Sequence, residues 1–295
     1  MKPFTDGLVL LDKPCGYTSF DILRQIRKKL GSSKIGHTGT LDKFARGLLV
    51  VLTGRFTRFA SFFLGLDKEY LASVRFGTET DSLDPEGKVI DTGDIPSLEK
   101  VVSVIGKFHG EIEQVPPIYS AVHYRGERAY RLARSGEAPE LIARRVRIES
   151  IEILSYVPPD LSIRVSCSKG TYIRALARDI GRSAGSCAFL TDLIRVRIGT
   201  LRLQDSVEPE SFDPSRDIHP AVDFLSHLPG FETRIVKTEF ISGILHGTPV
   251  NESIFESPPR MDGFFALMDK KGEVLAVVAR RDGQYRYTAV FAGGA

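Results

Sequence analysis

Tryptophan is absent from this 295-residue sequence, and cysteine occurs only three times, as Cys15, Cys167 and Cys187, with no CxxC pair. Three isolated thiols cannot build a disulfide framework, which excludes a small stapled secreted domain and fits a reducing compartment. No run approaches the roughly 20 consecutive apolar residues that a membrane helix needs. Met1 to Leu11 lacks a basic region followed by a long apolar one, so neither a span nor an export signal is expected, and the expected location is the cytoplasm. With 42% hydrophobic and 26% charged residues, the composition is that of a soluble globular chain, long enough for one large domain or a large one carrying a small one.

Familiar catalytic signatures are missing too. The six histidines, His37, His109, His123, His219, His227 and His246, form no HxxxH or HExxH pair, so a zinc site has no support. No GxGxxG follows a strand and no GxxxxGK[ST] occurs, which removes the two commonest cradles for a nucleotide phosphate. No GxSxG elbow is present. The expectation is a site with no metal and no cofactor, built on a carboxylate, basic groups and aromatic residues.

The net charge of +3 is a cancellation of blocks. Residues 1–60 hold 11 Lys/Arg against 4 Asp/Glu and residues 121–204 hold 15 against 8, so each block is net +7. Residues 79–113 hold 3 against 9, and residues 205–262 hold 4 against 11. Such polarity suits a polyanionic partner, although charged faces can also cluster on an ordinary surface.

Leu8 to Leu11 reads as a buried strand. Thr18 or Ser19 can then cap a helix carrying Ile22, Leu23, Ile26 and Leu30 on one face, closed by Gly31. A strand is expected at Leu48 to Leu52, with a loop from Gly36 to Gly47 before it. Tyr70, Ala72, Val74 and Phe76 alternate with polar or exposed neighbours, as do Leu161, Ile163, Val165 and Cys167, so both segments read as strands. The second passes through Ser168-Lys169-Gly170-Thr171 into a helix with Ile173, Leu176, Ala177 and Ile180 on one face. Strands and helices mix without strict βαβ alternation, which predicts an α+β fold. A Pro-, Asp- and Ser-rich stretch from Pro209 to Gly230 separates this body, residues 1–230, from a tail, residues 231–295. The tail holds three short strands that fit a small barrel or sandwich.

The loop Gly36-His37-Thr38-Gly39-Thr40-Leu41-Asp42 carries the strongest chemical signal. Asp42 is the only carboxylate within residues 32–54, among Lys34, Lys43 and Arg46, and nearby positive charge favours its ionised form. It reads as a nucleophile or base, or alternatively as an Asp capping a turn.

Four segments together carry a resemblance. They are Gly36 to Asp42 with Gly47, then Lys68-Glu69-Tyr70, then Pro116-Pro117-Ile118-Tyr119-Ser120-Ala121, then Ser168-Lys169-Gly170-Thr171-Tyr172-Ile173-Arg174. In order and spacing they resemble the TruB family of tRNA pseudouridine synthases, over about Gly7 to Gly199. The tail resembles, more weakly, the small PUA-type RNA-binding domain of bacterial members.

The resemblance implies a largely antiparallel mixed sheet flanked by helices, and isomerisation of a uridine at position 55 in the T loop of tRNA, with no nucleotide cofactor and no membrane partner, in a monomer. It implies that Asp42 is the catalytic aspartate, that Tyr70 stacks on the flipped base, and that Arg174 pairs with the aspartate. A guanidinium suits that task because it keeps a carboxylate ionised and fixes its orientation through paired hydrogen bonds. Lys68, His37, Tyr172 and Leu193 match positions that contact the RNA or line the uridine pocket. Leu190 and Leu193 also fit a helix or turn packing inward. Whether Asp42 attacks C1′ of the ribose or C6 of the uracil stays open.

Lys43 and Arg46 stand where the family usually has Pro and Thr, which would leave the loop less rigid before RNA binds. Between the Tyr119 motif and the next strand, about residues 122–148, lies a basic insertion. Arg125, Arg128, Arg131 and Arg134 recur every three residues and are followed by Arg144, Arg145 and Arg147. On a helix the first four would share a broad face suited to phosphates, with a solvated surface helix as the alternative. Two other functions compete with the synthase. One is an RNA-binding or RNA-folding protein on the same scaffold with weak or lost catalysis, and the other a carboxylate-dependent nuclease, which would need more clustered acids than residues 32–54 offer.

Overall fold

The computed structural model describes residues 6–291 except 32, 33, 121, 125, 136, 138, 221–223, 226 and 227. In chain order the body comprises β1 (Gly7–Lys13), α1 (Ser19–Leu30), β2 (Ile35–His37), β3 (Arg46–Thr53), α2 (Ala60–Leu64), β4 (Lys68–Phe76), β5 (Thr78–Thr80), β6 (Val89–Thr92) and α3 (Leu98–Ile105). It continues with β7 (Gly110–Gln114), β8 (His123–Tyr124), β9 (Glu127–Arg128), α4 (Ala129–Arg134), β10 (Arg144–Val157), β11 (Asp160–Cys167), α5 (Ile173–Ser183), β12 (Ala188–Ile198) and β13 (Leu201–Arg202). The fold is α+β, as the mixed pattern predicts.

Nine strands form the main sheet in the order β1-β3-β12-β4-β11-β10-β7, with β2 added to β3 and β13 to β12. All these pairings are antiparallel except β12 with β3. Alternation along β4 and β11 sends Tyr70, Ala72, Val74, Phe76, Leu161, Ile163, Val165 and Cys167 to one face, where α5 and α3 cover them. α1 packs Ile22, Leu23 and Ile26 against Val9, Leu11, Leu49 and Val51. Thr18 caps it reciprocally with Asp21, and Gly31 closes it with φ +64°.

Several elements differ from expectation. The stretch expected as loop from Gly36 contains the end of β2, because Ile35–His37 finds free edge groups on β3. Leu190 and Leu193 lie on strand β12, not on a helix or turn; pairing with β4 fixes them as inward residues. The arginine-rich insertion is not one helix. Gly126 takes φ +89°, a left-handed conformation that turns β8 back into β9, so Arg128 ends a hairpin and only Arg131 and Arg134 fall on α4. Arg125 lies outside the described residues. Arg144, Arg145 and Arg147 belong to β10 and pair with β7, so they extend the main sheet.

The tail holds one four-stranded sheet, β14 (Phe231–Ile235), β15 (Gly263–Met268), β16 (Val274–Arg281) and β17 (Gln284–Val290), in that order, with the short helix α6 (Ile241–Leu245) packed on it. β14 pairs parallel with β15, a strand the sequence pattern did not mark. Aromatic residues join the tail to the body. Phe59 stacks on Phe291 with ring centroids 5.3 Å apart, and Phe56, Phe63, Phe224 and Phe231 complete the cluster.

Candidate active site

The stretch 38–45 sits on buried apolar anchors. Leu41, Phe44 and Ala45 are buried in the core on either side of Asp42, whose side chain stays 37% exposed. The Leu41 N–H donates to Ser19 Oγ at 2.9 Å, the Gly16 N–H to the Lys43 carbonyl at 2.9 Å, and the Thr38 N–H to the Val50 carbonyl at 3.0 Å. Backbone groups thus bind the loop to α1, to the turn before it and to β3, so proline is not needed to hold it.

Asp42 meets Arg174 two-pronged. Arg174 Nε lies 2.9 Å from Oδ2, and Nη2 donates to Oδ1 at 3.1 Å. Arg174 is the second residue of α5 and is 5% exposed. Its remaining donors reach the Ser82 carbonyl at 2.8 Å, Asp84 Oδ2 at 3.1 Å and the Tyr119 carbonyl at 2.9 Å. Burial pushes the Asp84 carboxyl above the usual carboxylate range, against the Ser82 hydroxyl and the Arg174 charge, which favour its ionised form. The cations beside Asp42 in sequence do not pair with it. Lys43 reaches Glu86 at 3.0 Å and Arg46 reaches Asp192 at 3.1 Å, so the charge facing Asp42 comes from 132 residues further along the chain.

Asp42 opens onto a cleft of about 540 Å³ whose lining includes Tyr70, Tyr119, Tyr172, Arg174 and Leu193. Tyr70 is 9% exposed; burial pushes its phenol up, and Arg195 opposes the shift. Tyr172 precedes α5, with its N–H donating to Gln114 Oε1 at 2.9 Å, and burial raises its phenol as well. Lys68 lines the same cleft, but its ammonium donates to the Leu64 carbonyl at 2.9 Å and to that of Leu66, and burial lowers it to about 8. Arg128 is exposed and lines the cleft, whereas Arg131 is exposed on α4 and does not. His37, half-buried on β2, accepts from the Gly39 N–H at 3.3 Å through Nδ1 and is not a lining residue. Burial, with Arg195 second, pushes its pKa down. Among the described residues no cluster of His, Cys, Asp and Glu could hold a metal ion.

Two residues at this site escape sequence reasoning. Asp84 sits on a turn between β5 and β6 and nothing local marks it. Arg195 could have been found: it stands two places after Leu193 on a strand whose inward positions are otherwise apolar.

An arginine-bound carboxylate at a cleft lined by tyrosines, Leu193, Lys68 and Arg128 suits an enzyme that acts on an anionic substrate carrying a planar ring. Residues 27–173 match the TruB family pseudouridylate synthase (N terminal domain). The chain is 40% identical to tRNA pseudouridine synthase B of Borreliella afzelii (strain PKo) over 290 residues, 97% of this chain and 99% of that one. It is 36% identical to tRNA pseudouridine synthase B of Clostridium kluyveri over 287 residues, with the same coverage. Among solved structures, a Cbf5-Nop10-Gar1 complex contains a chain that superposes with a TM-score of 0.70 at 26% identity, covering 98% of this chain and 84% of that one. The chain belongs to the TruB family of pseudouridine synthases, and is an enzyme that isomerises uridine in tRNA. No helix among the described residues is long and apolar enough to cross a membrane.

Proposed function

We propose that the enzyme converts uridine 55 of the tRNA T loop to pseudouridine, with Asp42 as nucleophile. The observation that carries this reading is the paired Asp42–Arg174 contact at the edge of the cleft that Tyr70 and Leu193 line. Once the base is out of the stack, Asp42 attacks C1′ of the ribose or C6 of the uracil. The N1–C1′ bond breaks, the uracil turns, a C5–C1′ bond forms, and the bond to Asp42 breaks again, which returns the free carboxylate. The proton lost from C5 is balanced by one gained at N1, so no co-reactant is consumed. Arg174 aims the carboxylate through its two-pronged contact, while Tyr70 gives the base a stacking surface and Leu193 an apolar wall.

Lys68, His37 and Tyr172 contribute to holding the T stem-loop, with Arg125, Arg128 and Arg131 on its phosphates. Residues 1–230 act as the catalytic domain and residues 231–295 as a PUA-like RNA-binding domain, in a cytoplasmic monomer. The test is to incubate the purified protein with unmodified tRNA and map the product. Pseudouridine at position 55 alone is the expected result. Modification elsewhere, or none, overturns the assignment.

A further inference from the structure

Arg195 lies on β12, the strand between β3 and β4, and the register sets it opposite Gly47 on one side and Tyr70 on the other. It is 2% exposed. Nε donates to the Leu48 carbonyl at 2.8 Å, Nη2 to the Gly39 carbonyl at 3.1 Å and Nη1 to the Thr40 carbonyl at 3.4 Å. Arg195 and Tyr70, its partner in the register, line the same cleft. All three carbonyls are neutral, and no ion pair joins Arg195 to a carboxylate among the described residues. Burying an unpaired cation opposes folding. The charge therefore calls for a reason other than stability. Two of the three carbonyls belong to the loop that presents Asp42, and the third to Leu48 on β3.

We propose that Arg195 is a positioning residue for the isomerisation: its single planar fork holds the Gly39-Thr40 backbone, two residues before Asp42, to β12 beside Tyr70, so that carboxylate and ring keep one mutual geometry across the cleft. Only arginine supplies donors in several fixed directions from one rigid group; a lysine ammonium is a point charge on a flexible stem. Gly47 adds a reason that this fork cannot drift. A Cβ there would meet the Arg195 carbonyl at 2.5 Å, so the two strands already touch. The role rests on the functions proposed above for Asp42 and Tyr70.

The experiment compares wild type with Arg195→Lys and Arg195→Met. Single-turnover pseudouridine formation at saturating tRNA, tRNA affinity and melting temperature are measured for each, with the core variant Ile26→Val as a control. Misplacing a reacting group by about 1 Å costs about 100-fold, so both Arg195 variants should lose roughly that factor in rate with affinity within about threefold. Arg195→Met should melt lower than wild type, because three carbonyls lose their donor, and Ile26→Val should keep its rate despite melting lower. If Arg195→Met reacts at a rate near wild type, or if affinity falls as far as rate, the positioning role is overturned. Should neither Arg195 variant melt cooperatively, Arg195→Gln keeps a planar amide donor at the same place. A loss of about tenfold or more in rate at unchanged affinity supports the coupling, and an unchanged rate overturns it. A wild-type protein that forms no pseudouridine overturns the reading of the site and this role with it, whereas an active wild type with an equally active Arg195→Met overturns the role alone.

Discussion

Asp42 and Arg174 are unequal partners. The carboxylate is more than a third exposed and faces the cleft, while the guanidinium is almost wholly buried and spends its other donors on Ser82, Asp84 and Tyr119. Replacing the carboxylate therefore leaves most of the arginine's partners in place, and replacing the arginine strands several groups at once. Asp42→Asn should fold and bind tRNA much as wild type does yet form no pseudouridine, since an amide has the shape without the nucleophilic charge. Full product formation by that variant, mapped on unmodified tRNA, would remove Asp42 as nucleophile. Arg174→Lys should also lower the rate by about 100-fold or more, because an ammonium cannot reproduce the two-pronged contact. It should further lower stability by about 3 kcal/mol in urea unfolding, as expected when a buried pair loses its geometry. A stable lysine variant with wild-type turnover would take Arg174 out of the catalytic set.

At the scale of elements, the Asp42 loop shows how a local departure from a family pattern is absorbed by distant contacts. Lys43–Glu86 and Arg46–Asp192 are half-exposed pairs, each worth at most about 1 kcal/mol. The firmer hold comes from buried Leu41, Phe44 and Ala45 and from the close packing of Gly47 against Arg195. Glu86→Gln and Asp192→Asn should each shift stability by less than about 1 kcal/mol. Gly47→Ala should cost about 3 kcal/mol or more, because a Cβ must enter space held by backbone at φ +102°. Denaturant midpoints for the three variants check this order, and a neutral Gly47→Ala would refute the packing argument. The same loop marks what was legible in the sequence. The elements that carry Tyr70 and Arg174 could be read because each strand or helix is buried on one face and its period shows, whereas the roles of the two residues came from the family resemblance and not from that period. Asp84 could not be read as a site residue, because the turn after β5 brings it in and no short-range pattern encodes it, whereas Arg195 carried a local sign, a cation among the otherwise apolar inward positions of β12. The arginine spacing misled for a related reason: a period of three predicts a shared face only if the backbone is helical throughout, and Gly126 with its left-handed φ ends that premise.

Across the whole molecule, two net-positive blocks adjoin one cleft. Arg128 lines it, and α1, which bears exposed Arg24, Arg27 and Lys28, supports the catalytic loop through Ser19. The acidic residues of the segment 79–113 include Glu79, which pairs with Arg182, and Asp84 and Glu86, which pair with Arg174 and Lys43, so part of the negative charge is already neutralised within the fold. Phosphate contacts set the register of a nucleic acid, whereas the isomerisation, in the reading proposed above, takes place at Asp42 once the base has left the stack. Changing Arg128 and Arg131 together to Ala should therefore weaken tRNA binding while the rate at saturating tRNA survives. The slope of log affinity against log salt should flatten by roughly 0.7 to 0.9 for every phosphate left without its arginine. Arg128, at the cleft, should account for more of that change than Arg131, which stands outside it on α4. Titrations of wild type and both single variants across a salt series separate the two contributions. An unchanged slope in the double variant would assign these arginines to a solvated surface, and the RNA footprint would then have to be carried by Arg24, Arg27 and Lys28 on α1.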